Sequence, residues 1–333
     1  MEALNTLHAS STTFPEAALQ NQASDVKGSF AEVAGETYYR IVNHDAMAPF
    51  FMSLVSDSDH WLFISSNGAL TAGRRDPDNA LFPYYTDDRI HDSQDQTGSK
   101  TLLRISRQGR TWLWEPFSQH LEGLYLVTRS LYKSVYGNKI LFEEINHDLG
   151  LTFRYEWMNS ERFGFVRRAT LSNQGPEAVS VELVDGIENL LPCGVERRFQ
   201  VEYSTLVDGY KRTELVGGTG LALYRLSSVP VDKPEPSEAL RVNLAWSTGL
   251  ATAKHLLSTA QLRAFRHGEP LREETDVRGR RGAYLLNACL DLAPGASKDW
   301  LVVAELEQDA AGVVALKRQL ESCLLYTSPS PRD

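Results

Sequence analysis

No apolar run in this chain approaches the roughly 20 residues that a membrane-crossing helix requires, so no helical span of a bilayer is expected. Residues 1–11 have neither a basic start nor an apolar stretch of the secretory type, which makes the cytoplasm the expected compartment. Positive charge is also in short supply. Lys and Arg number 34 against 43 Asp and Glu, a net charge of −9. Such a surface repels a phosphate backbone and argues against nucleic acid as a partner, while leaving room for a small local basic site. Cysteine is scarce as well, at three residues. Cys193 and Cys289 lie far apart with neither zinc spacing nor a redox pair, so both are expected as buried small apolar residues. His44, His60, His91, His120 and His147 are scattered without a paired metal spacing. Each is expected at the surface or in the core, and no metal is expected.

What is present is a globular composition: 333 residues, 42% apolar and 10% aromatic, with 14 prolines and 23 glycines. These values exclude disorder and collagen-like repeats, and a chain of this length buries roughly 75% of its unfolded surface. Period-two alternation dominates. In Leu151-Thr-Phe-Arg-Tyr-Glu-Trp157 the apolar side chains alternate with Thr152, Arg154 and Glu156, which predicts one buried and one wetter face. Runs 166–171 and 179–184 flank Asn173-Gln174-Gly175-Pro176 and are expected to form an antiparallel hairpin; 124–136 and 139–145 are expected to do so across Gly137-Asn138. Further alternating runs occur at 221–229, 240–246, 286–292 and 300–306, with Ala293-Pro294-Gly295 as a turn before the last. Strands at this spacing without a βαβ rhythm predict an all-β chain built as a large antiparallel sandwich.

Two segments depart from the pattern. Residues 1–28 are polar and weakly periodic, which predicts a loose amino-terminal arm. Asp309 can cap a short carboxy-terminal helix in which Val313, Leu316 and Leu320 share one face while Lys317 and Arg318 stay solvated. The sandwich is therefore expected over 29–307 and the start of a helical linker over 308–322. Residues 323–333, Cys-Leu-Leu-Tyr-Thr-Ser-Pro-Ser-Pro-Arg-Asp, match the translation of a transposase sequencing adapter beginning TGTCTCTTATACACATCT. They are expected to be an adapter-derived artefact, the open frame being cut at about Ser322; the alternative is a natural Pro- and Ser-rich tail.

The densest polar stretch is 50–92. After two short strands, a long loop carries Asn67, Arg74, Asp76, Asn79, Thr86, Asp87 and Asp88 among the rings of Phe82, Tyr84 and Tyr85. Sugar recognition uses this mixture, because hydroxyls call for carboxylates, amides and guanidinium groups while the C–H face of the ring packs on an aromatic plane. The alternative is a surface loop whose carboxylates pair with its own arginines and cap its own turns. Other constellations are weaker. Gly217-Gly-Thr-Gly220 opens a strand and reads as a turn; Asp185-Gly-Ile-Glu188 reads as shaping a turn; Arg278-Gly-Arg-Arg281 reads as a solvated loop, with contact to an anionic sugar or phosphate as its alternative.

Across about 38–306 the order of features resembles a known domain. Leu54-Val-Ser56, His60-Trp61 and Ser66-Asn67 lead to Phe82-Pro-Tyr-Tyr-Thr-Asp87 and Asp92. Gly109-Arg-Thr-Trp-Leu-Trp-Glu-Pro116 follows, then Ile140-Leu-Phe-Glu-Glu144, then Arg167-Arg-Ala-Thr-Leu-Ser-Asn173. Leu290-Asp-Leu-Ala-Pro-Gly295 and Trp300-Leu-Val-Val-Ala304 close the series. This order resembles the amino-terminal super-β-sandwich of the cellobiose phosphorylase family, glycoside hydrolase family 94, with Tyr84 near the family tryptophan. Two features depart from the family: Glu115 replaces a serine, and Gly137-Asn138 stands where the family has an aromatic-glycine turn. The resemblance implies a galactose mutarotase-like sandwich followed by an (α/α)6 barrel that holds the general acid. It further implies inverting phosphorolysis of β-linked oligosaccharides with inorganic phosphate as co-substrate and no other cofactor, and a homodimer in the full-length parent. On this reading the catalytic residues lie downstream, the fragment is inactive alone, and substrate-binding residues are drawn from Asn67, Arg74, Asp76, Asn79, Tyr84, Thr86, Asp87 and Asp88. The alternatives are a hydrolase parent that uses water in place of phosphate, and a stand-alone carbohydrate-binding or mutarotase-like sandwich.

Overall fold

The structure, a computed structural model, describes residues 12–13, 22, 24–85, 88–228, 240–250 and 254–322, with the backbone alone for Thr12, Thr13 and Asp88. Alternating runs become strands because one face of each is apolar and needs cover. Among the described residues they form an eleven-stranded, a six-stranded and a four-stranded sheet, and nearly all pairings are antiparallel. The eleven-stranded sheet runs in the order Asp276–Arg278, Lys211–Val216, Leu221–Leu226, Val242–Thr248, Ser297–Gln308, Gly164–Asn173, and then Leu151–Ser160, Lys139–Asn146, Val127–Ser134, Glu36–Val42, Lys27–Val33. The six-stranded sheet is centred on Gly98–Arg107, Val179–Leu190 and Gly282–Leu292. Phe51–Leu54, His60–Ser65, Leu70–Arg74 and Ala80–Phe82 make the small sheet. All three contribute to one core, in which Leu151, Phe153, Tyr155 and Trp157 lie with Leu183, Leu286, Trp300 and Phe82. The face expected to be wetter is largely covered too: Glu156 is buried and accepts a 2.6 Å bond from the Tyr38 hydroxyl.

Two expected connections are different in kind. Val127–Ser134 and Lys139–Asn146 do form a hairpin. The runs on either side of Asn173-Gln174-Gly175-Pro176, however, belong to different sheets: Gly164–Asn173 pairs with Leu151–Ser160 and Ser297–Gln308, and Val179–Leu190 with Gly98–Arg107 and Gly282–Leu292. The turn residues reverse the chain, but both strands are apolar on the faces they turn to each other, so they stack across the core. Asn173 shapes the crossing, donating to the carbonyls of Glu177 (2.8 Å) and Leu292 (3.0 Å). Ala293-Pro294-Gly295 likewise carries the chain from one sheet to the other.

Asp185 and Glu188 lie inside the strand Val179–Leu190, and correct their reading as turn residues. Asp185 crosses the core to Arg167 in a bidentate pair with oxygen–nitrogen distances of 2.8 and 2.9 Å, and neither side chain is exposed at all. The cysteine expectation is corrected as well, since Cys289 is exposed on its strand and Cys193 is half-buried. Gly217-Gly-Thr-Gly220 is a hairpin turn, as read. Within the segment read as a loose arm, Thr12–Thr13 pair in parallel with Thr111 and Trp112, and a strand begins at Lys27.

The helix Ala310–Glu321 is capped by Asp309, whose Oδ1 accepts from the Gly312 amide at 2.8 Å. Val313, Leu316 and Leu320 pack on Leu244, Trp246 and Val303 of the large sheet. Asp309→Ala should cost about 1 kcal/mol of helix stability, read as faster amide exchange over 310–314 with the sandwich unaffected.

Candidate functional site

The stretch expected as one long loop is mostly sheet. Asn67 lies in the turn before Leu70–Arg74, and Asp76 and Asn79 lie in the turn after it. At about 3.3 Å per residue the strand holds the two turns roughly 15 Å apart, so these residues do not converge. Asn67 donates to the His91 carbonyl (2.9 Å) and accepts from the Ala69 amide (3.1 Å). Asp76 Oδ1 accepts from the amides of Asp78 and Asn79 and from Asn79 Nδ2 at 2.8 Å, so it closes its own turn. Arg74 donates to Asp59 (2.8 Å) and Glu305 (3.1 Å), and Arg75 pairs with Glu307. These pairs lock the turn to the end of the last strand, beside the point where the helix at Asp309 departs. Thr86 and Asp87 lie outside the described residues, as does the side chain of Asp88.

Tyr84 sits in a different setting. Its amide donates to Gln200 Oε1 (2.9 Å), its ring meets Trp61 edge-on at 5.5 Å, and the Arg197 guanidinium lies 5.3 Å from its centroid. Gln200 also donates to the Pro77 carbonyl (2.8 Å), which ties the short helix Arg197–Val201 to the turn at Asp76. The result is an open groove of about 610 Å³ lined by Tyr84, Tyr85, Arg89, Arg197, Arg198 and Glu202. Asp78 lines the same groove and accepts from the Arg197 amide (2.6 Å), while Arg198 bonds the Tyr203 hydroxyl (3.0 Å) and lies 3.5 Å from Glu202. In an acidic chain this is a local concentration of guanidinium groups beside aromatic rings.

The other end of the sandwich holds charges that the sequence reading did not take as site residues. Glu144 is buried and accepts from Trp114 Nε1 (2.7 Å), the Phe117 amide (2.7 Å) and Arg129 Nε (2.8 Å). Glu115, the residue departing from the family pattern, forms a bidentate pair with Arg266 at 2.5 and 2.7 Å. Lys100 stands between Asp95 (3.2 Å) and Glu188 (3.9 Å). Burial pushes the Glu188 carboxyl up to about 7 even though Lys100 opposes it. Above this set a cleft of about 140 Å³ is lined by His44, Asp45, Gln119, Glu122, Arg129 and Phe117. Burial and the Arg129 charge bring the His44 imidazole down to about 4, so the ring is neutral at pH 7. Adjacent glutamates in an apolar strand, Glu143-Glu144, were the available sequence signal; His44 offered none.

The sequence matches no protein-family model, and no curated protein matches it. Among solved structures the chain is similar to a galactose mutarotase-like protein from Lactobacillus casei, at 10% identity over 78% of this chain and 100% of that one, with a TM-score of 0.39. It is also similar to a polysaccharide lyase (11% identity, 82% of this chain and 34% of that one, TM-score 0.42). A bacterial glucoamylase complexed with acarbose is similar at 8% identity, over 89% of this chain and 37% of that one, with a TM-score of 0.40. The chain thus spans about a third of the length of the lyase and of the glucoamylase.

Proposed function

We propose that this chain is the sandwich domain of a glycoside phosphorylase-like protein acting on β-linked oligosaccharides, with its catalytic groups in a following (α/α)6 barrel and inorganic phosphate as co-substrate. The observation that carries this reading is the Tyr84 groove, open to solvent and placed beside the turn that Glu305 and Glu307 hold at the departing helix. An open groove supplies stacking and hydrogen-bond donors from one side only, so it serves a saccharide best when a second domain closes it. In this reading 29–307 is the domain, 308–322 begins the linker, and the whole enzyme is a cytoplasmic homodimer.

The chain alone should release no glucose 1-phosphate from cellobiose and phosphate above background. In the protein extended through its next domain, Tyr84→Ala and Arg197→Ala should each lower kcat/KM by about 1–3 kcal/mol, with folding intact by circular dichroism. Phosphate-dependent turnover by the chain alone would move the chemistry into the sandwich and favour the stand-alone reading. Unchanged kinetics in both variants would remove the groove from the substrate path.

A further inference from the structure

Two residues that are not glycine hold left-handed backbone on either side of one contact. Arg75 has a φ of 61° in the turn that leads from Leu70–Arg74 to Ala80–Phe82, and Glu307 has a φ of 55° in the last strand. At Glu307 the pairing with Val242–Thr248 slips, Val242 facing Gln308 and Leu244 facing Glu305, so this residue sits in a β-bulge. Glycine takes such backbone without a steric penalty; a long charged side chain does not. Both positions nevertheless carry one, and the two side chains are ion-paired with each other. Their surroundings hold the strain in place. The Glu307 amide donates to Asn243 Oδ1 (3.0 Å), and the Arg75 amide donates to the Asp59 carbonyl (2.8 Å).

The contact has the groove on one side and the carboxy-terminal helix on the other. Asp78 accepts from the Arg197 amide (2.6 Å) at the start of Arg197–Val201, and the Pro77 carbonyl accepts from Gln200 (2.8 Å), whose Oε1 holds the Tyr84 amide (2.9 Å). Two residues beyond Glu307, Asp309 caps the helix Ala310–Glu321. We propose that Arg75 and Glu307 form a conformational latch that couples the shape of the Tyr84 groove to the seating of this helix on the large sheet. Releasing the pair lets both backbones leave the left-handed region. Pro77 and Asp78 then draw away from Arg197–Val201, and the Asp309 cap loosens. The neighbouring Arg74–Glu305 pair (3.1 Å) keeps the strand ends together, so the release is local. The Arg75 side chain is 50% exposed and that of Glu307 19%, which leaves the latch within reach of solvent. The coupling is independent of what occupies the groove.

The test follows amide hydrogen exchange in the full chain by NMR, each variant being read on the far side of the latch. Glu307→Gly relieves the backbone and removes the pair, and the Tyr84 and Arg197 amides should then exchange about tenfold faster. Arg75→Gly should speed the helix amides of 313–316 to a similar degree. The double variant should add little to either single change, because the two residues act as one contact. Exchange across Gly98–Arg107 and the urea midpoint should stay at the parent's values in the glycine variants, since glycine suits both positions. Glu307→Gln, which keeps the strain and loses the charge, should give the same release with a lower midpoint. Unchanged exchange at Tyr84 and Arg197 in both Glu307 variants would overturn the proposal. So would effects that simply add in the double variant, or an acceleration that reaches Gly98–Arg107 equally.

Discussion

Asp185→Ala should destabilise the sandwich by about 3–5 kcal/mol, the range found when one member of a fully buried ion pair is removed. Asp185 spends both oxygens. Oδ1 accepts from Thr101 Oγ1 (2.6 Å) and Arg167 Nη2 (2.9 Å), and Oδ2 from Arg167 Nη1 (2.8 Å) and Trp300 Nε1 (2.6 Å). Arg167 is satisfied further by Ser99 Oγ (2.8 Å), and its guanidinium lies 5.1 Å from the Tyr155 centroid. The substitution therefore strands a guanidinium in the core together with an indole N–H and a hydroxyl. The groups come from both large sheets, so the loss should be felt as a global shift of the urea midpoint with little change in m. Replacing both partners at once, Asp185→Leu with Arg167→Met, should recover most of the loss, because the pair's own attraction is largely offset by the desolvation of its charges. A loss under about 1 kcal/mol for Asp185→Ala would mean that water reaches the pair and that it does not fasten the two sheets together.

That pair also marks the limit of what the sequence made legible. Period-two alternation identified most of the long strands after residue 124, since side-chain direction along a strand is a local property, but it did not identify Leu70–Arg74 or Gly98–Arg107. It could not assign each strand to a sheet: Asn173–Pro176 and Ala293–Gly295 are chemically turns whether the chain folds back beside itself or crosses the core. Asp185 looked like a turn residue because a carboxylate in an apolar run calls for solvent unless a partner exists. Its partner sits on another sheet, and nothing in the spacing reveals it. The same reason separates the candidate residues. Their density between 67 and 88 was visible, but the strand Leu70–Arg74 places Asn67 at one end and Asp76 at the other, where each satisfies local backbone. Tyr84 lies in a groove because Arg197 and Gln200, more than a hundred residues later, come to meet it. Cys289 is outward because its strand exposes that face at its end.

The buried titratable groups predict two opposite pH signatures. Glu188 has a folded pKa of about 7 against an ordinary 4.5, so the folded state holds its proton more tightly than the unfolded chain. Its contribution is fully present below about 4.5 and is lost as pH rises through 7, a difference of roughly 3 kcal/mol for a group this buried. Glu188→Gln resembles the protonated acid, so it should be close to neutral at pH 5 and stabilising by up to that amount at pH 8, where the parent must bury a charge with Lys100 3.9 Å away. His44 runs the other way. Its folded pKa of about 4 lies below the ordinary 6.5, so its contribution is present above 6.5 and is lost as pH falls toward 4. His60, lowered to about 4 chiefly by burial, acts in the same sense. Relative to the parent, His44→Gln should therefore gain stability steadily from pH 7 down to 4, by up to roughly 3 kcal/mol. Urea unfolding of the parent and both variants at pH 5 and pH 8 measures the two differences directly. If the advantage of Glu188→Gln over the parent is the same at both pH values, the carboxyl titrates normally and the charge set around Lys100 is open to water.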